Sequence, residues 1–252
     1  MKKEKSRETK GSGKTIRLTK FHAQVDRFLL NHPEIIELPN GRSTIKRSPY
    51  SVYIPRKLGE ELCRIIGIIH GDGNMSGKRV HVSDKSREYH ETVVLPLFQK
   101  VFGITLNLYH DHERNSYYSH TKCKIVYYYL VEVLELPKGA VRPNIRIPDY
   151  LAFAPINLRA SYIAGLFDSE AHVRKNQVEI DFYTTTPELM EFITNYLRKI
   201  GVNHSQMTRK RGKSQEYELA ITERQNVHAF IDNTPLKHPD KLRTLQLHFP
   251  TD

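Results

Sequence analysis

Two carboxylates, Asp72 and Glu170, close two copies of one pattern. The first copy is Ile65-Ile66-Gly67-Ile68-Ile69-His70-Gly71-Asp72-Gly73. The second is Ile163-Ala164-Gly165-Leu166-Phe167-Asp168-Ser169-Glu170-Ala171. Each is an apolar helical run that ends in an acid, and the last carbonyls of a helix have no partner inside it. An acid there meets the negative end of the helix dipole, which is unfavourable by roughly 0.3–1 kcal/mol at an exposed site. A bound cation reverses that sign. A carboxylate beside a free helix-end carbonyl therefore makes a cation site, Asp72 next to Gly71 and Glu170 next to Ser169.

The small residues say how two such sites could meet. Gly67 and Gly71 share one helical face, as do Gly165 and Ser169, because positions i and i+4 stack on the same side. Glycine inside a helix costs roughly 0.5–1 kcal/mol relative to alanine, and close helix-on-helix contact is the simplest compensation. Packing the two copies face to face brings Asp72 and Glu170 to the same end of the pair.

The chain carries 39 Lys and Arg against 28 Asp and Glu, a formal charge of +11. Its pI of about 9.5 points to a polyanionic partner, nucleic acid first and an acidic membrane surface second. No apolar run approaches the ~20 residues of a membrane span. Met1-Lys2-Lys3-Glu4-Lys5 leads into no apolar signal segment, so an intracellular setting is expected. Cys63 and Cys123 form no Cys-x-x-Cys and read as reduced, structural thiols. The 13 histidines have no metal-finger spacing and read as scattered surface groups.

Along the chain, residues 1–17 read as a disordered basic arm and 18–31 as a short amphipathic helix. Residues 1–50 together form a basic N-terminal extension. A first half spans 51–136, and a linker spans 137–157 with Pro137, Pro143, Pro148 and Pro155. A second half spans 158–252. In the first half a helix at 58–71 precedes a hairpin around Ser76-Gly77-Lys78. A helix with Pro96 inside it ends at Gly103. A second hairpin and a helix from Ile125 to Leu136 follow. In the second half the order repeats. Thr186-Pro187-Glu188 reads as a capped helix start, and a hairpin turns at Arg211-Gly212-Lys213. The fold class is α+β: two pseudo-symmetric αββαββα halves with antiparallel sheets.

With both motifs, their spacing and the same elements after each, the sequence resembles the LAGLIDADG homing endonucleases in their single-chain, two-motif form, of an archaeal type. The resemblance covers roughly residues 52–235. Val82-Ser83-Asp84-Lys85-Ser86 is similar to the family's strand end before its second helix, and Thr121-Lys122-Cys123-Lys124 to its strand-to-third-helix corner. His70 replaces the internal acid of the first motif, and Ala171 the final glycine of the second. The family pattern assigns the metal to Glu170 rather than Asp168, leaving Asp168 and His70 structural roles.

The resemblance implies a curved antiparallel sheet in each half, facing the DNA major groove, where exposed side chains read base edges. Groove-facing candidates are Tyr109, Tyr118, His120 and Lys122, then Glu179, Asp181, Tyr183, Arg209, Lys210, Arg211 and Lys213. The implied activity is metal-dependent hydrolysis of both DNA strands with short 3′ overhangs. Asp72 and Glu170 would act as catalytic acids and, with the Gly71 and Ser169 carbonyls, as ligands for two or three Mg2+ ions, with Mn2+ or Ca2+ able to substitute in binding. Lys85 and Lys124 match basic corner positions, with Arg224 as the second-half counterpart. The implied molecule is a monomer with pseudo-twofold symmetry that binds double-stranded DNA, with no membrane and no obligate protein partner. Its setting is prokaryotic, with an organelle as the alternative. Two other readings share the scaffold: an RNA-binding intron maturase and a non-cleaving DNA-binding regulator.

Overall fold

The computed structural model describes residues 12–141, 145–211 and 214–249, the side chains of 12–19, 211 and 214 apart. At its centre lie two helices, Glu60–Asp72 and Ile156–Glu170, each buried from its second turn almost to its end. They touch through glycine. A Cβ placed on Gly67 would sit 2.1 Å from the Tyr162 carbonyl oxygen and 2.7 Å from the Leu166 nitrogen. On Gly165 it would sit 2.3 Å from the Arg64 oxygen, and on Gly71 it would sit 2.5 Å from Ser169 Cβ. No side chain fits at these positions, so the two backbones are in direct contact.

The rest is built outward from that pair. A helix Ser12–Asn31 turns Phe21, Val25 and Phe28 into the core. It leads to β1 (Ile35–Glu37), β2 (Ser43–Ile45) and β3 (Ser51–Val52), a small antiparallel sheet in that order. The expected arm at 1–17 is corrected in part, since the helix begins at Ser12; residues 1–11 lie outside the described residues. The extension is folded onto the first half by Arg42, whose guanidinium donates to the Gly103 carbonyl at 2.7 Å.

After the first motif helix come β4 (Gly73–Met75) and β5 (Val80–Asp84), then a continuous helix over residues 87–102. Then follow β6 (Asn107–Asp111), β7 (Ser116–Thr121) and a helix over residues 124–133. Pro96 does not end its helix. A π-helical turn at His90–Val94 lies just before it. The wider turn takes up the local change in hydrogen bonding that a proline forces on an α-helix. Gly103 closes the helix at φ 66°, a left-handed conformation that favours glycine. The linker contributes β8 (Gly139–Ala140), so the first sheet runs β6-β7-β5-β4-β8, all antiparallel.

The second half repeats the plan with β9 (His172–Val173), β10 (Ile180–Thr184), a helix Pro187–Lys199, β11 (Ser205–Arg211), β12 (Ser214–Ile221) and a helix Arg224–Asn233. Its sheet order is β11-β12-β10-β9, antiparallel. Thr186 precedes the first of these helices as expected, but its side chain makes no capping bond; its N–H donates to Thr184 Oγ1 at 3.1 Å. A further helix, Pro239–His248, was not foreseen from the sequence. No described helix is long and apolar enough to cross a membrane.

The glycine contact yields a stability prediction. Alanine in place of Gly165 would gain roughly 0.5–1 kcal/mol of helix propensity, but it forces a Cβ onto the Arg64 carbonyl. Overpacking of a core typically costs about 1–3 kcal/mol. Gly165→Ala should therefore lower the urea midpoint of unfolding; an unchanged or raised midpoint would show that the helices are not in backbone contact.

Candidate active site

Asp72 and Glu170 are the last residues of their helices, and both are partly buried. A Cβ on Gly71 would lie 3.0 Å from Glu170 Cγ, so the Glu170 side chain leans across the end of the first motif helix, one residue from Asp72. The glycine contact thus sets two acids side by side where two helix C-termini meet. Gly73 and Ala171 then leave in extended conformation into β4 and β9.

Asp168 serves the interior. Its carboxylate is fully buried and pairs with Arg64 Nη1 at 2.7 Å. It also accepts the backbone N–H groups of Lys237 at 2.9 Å and His238 at 3.0 Å. Burial raises its proton affinity above the ordinary carboxylate range, and Arg64 is the largest opposing influence. Arg64 also donates to the Pro235 carbonyl. Together these contacts tie the segment after the Arg224–Asn233 helix to the end of the second motif helix and, through Arg64, to the second turn of the first.

That segment carries a residue missing from the sequence-based site. Lys241, on the Pro239–His248 helix, points its ammonium at the end of the second motif helix. It donates to the carbonyls of Phe167 at 2.7 Å, Asp168 at 2.5 Å and Ser169 at 3.2 Å. Burial pulls its pKa below the ordinary lysine value, while Asp168, Asp72, Asp84 and Glu170 hold the charged form. The Ser169 carbonyl, expected to face a metal, accepts the Lys241 ammonium in this structure. Among the described residues no lysine or arginine donates to the carbonyls of Ile69, His70 or Gly71 in the first motif helix. His238 adds to the same corner, with Nε2 3.4 Å from Asp84 and its ring stacked on Tyr89 at 4.4 Å.

His70 is wholly buried between the helices, its Nδ1 2.8 Å from Tyr162 Oη. Its Nε2 has no hydrogen-bond partner among the described residues, and burial pushes its pKa down to about 3. A neutral ring in that position packs between the helices and hydrogen-bonds Tyr162.

Among the basic candidates, Lys85 and Lys124 are exposed at the strand-to-helix corners that follow β5 and β7. Arg224 is also exposed, but its guanidinium lies over the Phe249 ring, 4.8 Å from the centroid. On the open face of the first sheet, Tyr109 stacks on Tyr118 at 5.4 Å and on His120 at 5.2 Å, and Tyr118 stacks on His81 at 4.8 Å. Tyr109 is exposed there, whereas His120 is covered by its neighbours and is corrected as a directly presented reader. Lys122 is exposed.

In the second sheet Asp181 is buried and paired with Arg174 at 2.7 Å, so it too is withdrawn from the groove-facing set. Glu179 is bonded to the same arginine at 3.2 Å. Tyr183 donates to Glu218 at 3.2 Å, and Glu218 pairs with Arg209 at 2.8 Å. Arg209 and Lys210 are exposed on β11; the Arg211 side chain and Lys213 lie outside the described residues.

The donor set suits a divalent cation in part. Among the described residues no group of three or more His, Cys, Asp and Glu forms a metal cluster. Two carboxylates at helix C-termini offer hard oxygens to an ion that keeps several waters. The ammonium of Lys241 already stands as a cation on one helix end, which shows that this end accepts positive charge. Asp72, Glu170 and the Gly71 carbonyl are the groups that would hold a metal.

Residues 157–235 match the model of the LAGLIDADG-like domain. Among curated proteins, the chain is 31% identical over 105 residues to the ATP-dependent DNA helicase Hel308 of Methanocaldococcus jannaschii, covering 36% of this chain and 9% of that protein. It is 26% identical over 205 residues to the glutamine–fructose-6-phosphate aminotransferase of the same organism, covering 77% and 18%. It therefore spans less than a fifth of either relative. Among solved structures, the homing endonuclease I-DmoI in complex with DNA and Ca superposes with a TM-score of 0.55 at 17% identity, covering 74% of this chain and 97% of that one. Full-length DUF199/WhiA from Thermatoga maritima gives 0.51 at 12% identity, covering 75% and 60%. At these identities the likeness establishes the fold.

The buried imidazole gives a pH signature. Folding lowers the His70 pKa from 6.5 to about 3, so the unfolded chain takes up the proton first. The stability this group contributes is complete above pH 6.5 and is lost as pH falls toward 3, at about 1.4 kcal/mol per pH unit. Replacing it in His70→Gln should remove one proton from the slope of unfolding free energy between pH 6 and pH 4; an unaltered slope would place the imidazole in contact with water.

Proposed function

We propose, from the match of residues 157–235 to the LAGLIDADG-like domain and from a fold like that of the homing endonuclease I-DmoI, that this chain is a site-specific, metal-dependent endonuclease. It would cut both strands of a long, non-palindromic DNA target and leave short 3′ overhangs. The observation that carries this reading is the meeting of Asp72 and Glu170 at the joined ends of two helices. A pure binding scaffold has no need for two carboxylates there, since each raises the local negative charge at a helix C-terminus and repels the phosphates of a duplex.

Asp72 and Glu170, with the Gly71 carbonyl, would hold Mg2+ or a substitute such as Mn2+ or Ca2+. A divalent ion so held supplies a nucleophilic water, charge neutralisation on the phosphoryl oxygens and help for the leaving oxygen. The chain's own groups do the rest. Lys85 and Lys124, at the exposed corners, are the candidates for holding the scissile phosphates; Arg224 is engaged with Phe249 and is a weaker one. Tyr109, Tyr118 and Lys122 in one half, and Glu179, Tyr183, Arg209 and Lys210 in the other, are the candidates for reading bases and phosphates. The two faces differ in character, one aromatic and the other a set of arginine–carboxylate pairs, which supports a target without twofold symmetry. The matches to a helicase and an aminotransferase cover 9% and 18% of those proteins, so neither chemistry is carried over to this chain.

The non-cleaving DNA-binding reading also has a specific observation behind it: Lys241 already neutralises one of the two helix ends. The two readings separate in a cleavage selection from a randomised duplex library with magnesium. The endonuclease reading expects enrichment of one family of cut sequences; a library bound but never cut favours the regulator. On the selected target, Asp72→Asn and Glu170→Gln should each lose double-strand cleavage by several orders of magnitude and keep binding within a few-fold, because phosphate contacts dominate affinity. Full cleavage by either variant would remove that acid from the site.

A further inference from the structure

Four rings stand together on the open face of the first sheet. Tyr109 on β6 lies directly opposite Tyr118 on β7, and His120 on β7 lies directly opposite His81 on β5. Tyr118 and His120 are two apart on one strand, so all four side chains share a face. Each stacked pair lies within 18° of parallel. The centroids are 5.4 Å apart for Tyr109 and Tyr118, 5.2 Å for Tyr109 and His120, and 4.8 Å for Tyr118 and His81. Rings lying flat side by side on the sheet would collide at such spacings, so these overlap face to face in an offset row. The strand β6 is at the edge of the sheet, and Tyr109 ends the row there. Its residue is 46% exposed, and among the described residues no further ring stacks on it. Three exposed cations rim the row: Arg79 just before β5, Arg114 between β6 and β7, and Lys122 just after β7. Their charges reach the rings. Burial first, and then charges that include these cations, holds His81 and His120 below the ordinary histidine pKa.

We propose that this row is a stacking platform for unpaired bases, so that the first half binds single-stranded nucleic acid, with Tyr109 taking the first base. In a duplex each base face is covered by its neighbours, and the major groove offers base edges. A ring that ends a row matches a base whose own face is open. Every base has such a face, so this binding tolerates sequence. The rim supplies contacts for the phosphates, and the formal charge of +11 draws the strand in. Among the described residues the second sheet has no such row. Its open face holds Arg174 against Asp181, and Arg209 and Tyr183 against Glu218. Its carboxylates repel a phosphate backbone, so the platform belongs to one half of the molecule. This activity goes beyond the endonuclease reading and calls on neither Asp72 nor Glu170. The chemistry it recognises, an unstacked base on a polyanionic chain, is common to DNA and RNA.

A fluorescent base tests this on the full chain, with no metal and no known target. Two probes are titrated with protein: an oligothymidylate of about twelve nucleotides carrying one central 2-aminopurine, and its oligouridylate counterpart. Stacking on an aromatic ring quenches 2-aminopurine, whereas attraction to phosphate alone leaves it bright. The wild type should quench it, and the more tightly bound of the two strands shows whether the site takes DNA or RNA. Tyr109→Phe keeps the ring and should keep the quenching. Tyr109→Leu keeps apolar bulk without a π face; it should lose the quenching and bind the strand at least about fivefold more weakly, the low end of what one stacked base contributes. If the leucine variant folds poorly, the wild type still decides. A strand carrying 5-iodouracil should photocross-link to the peptide that contains Tyr109, because that reaction needs a ring stacked on the base. Equal quenching and affinity in the wild type and Tyr109→Leu, or binding without quenching and with cross-links only outside the first sheet, would overturn the platform. Either result leaves the endonuclease reading standing, since that reading is judged by cleavage of a duplex.

Discussion

The structure depends on one contact, the backbone-to-backbone approach of two helices at Gly67 and Gly165. Each glycine faces a carbonyl of the other helix at a distance no Cβ could occupy. Everything functional is referred to that contact. It fixes the angle and offset of the two helices, and hence where their C-termini end. It sets Glu170 against Gly71 beside Asp72. It also joins the halves, so that one sheet follows each helix and the two open faces belong to one rigid frame. The usual helix penalty of glycine is outweighed here by the apolar burial along both helices and by the contact itself.

Electrostatics at the helix ends runs against the packing. Two negative dipole ends and two carboxylates are brought together by a contact that is indifferent to charge. Local cations offset that repulsion. Arg64 pairs with the buried Asp168, and Lys241 sits on the Phe167, Asp168 and Ser169 carbonyls. Both are bound up with the C-terminal segment, through Pro235, Lys237 and His238. The last helix is therefore part of the electrostatic design of the centre. A buried pair such as Arg64–Asp168 is weak evidence for added stability; its clearer effect is to fix where Lys241 arrives.

The parts of this arrangement that were legible in the sequence are the local ones. The apolar runs, their glycines four apart and the terminal acids all lie within nine residues, and the strand alternation of Val80 and Val82 or of Ile180 and Phe182 is a property of neighbours. Lys241 could not be read, because its role depends on a docked helix far along the chain. Nothing in Pro239-Asp240-Lys241 distinguishes it from an ordinary helix start. The recognition faces were legible as faces but not residue by residue. Alternation puts His120 and Asp181 on the open side, whereas coverage by Tyr109 and capture by Arg174 are decided across strands. The N-terminal extension was misread in part because Gly and Ser near its start suit a disordered arm, while Phe21, Val25 and Phe28 bury a helix that reaches back to Ser12.

The central claim is that the glycine contact holds positions 72 and 170 side by side, and cross-linking tests it most directly. Cys63 and Cys123 are buried and free, so they leave the background quiet. In the double variant Asp72→Cys, Glu170→Cys, a short bis-maleimide should alkylate the two new cysteines within one chain, seen as the loss of both reactive thiols and a single added linker mass. Modification of each thiol separately, with no internal bridge in a folded protein, would contradict the account.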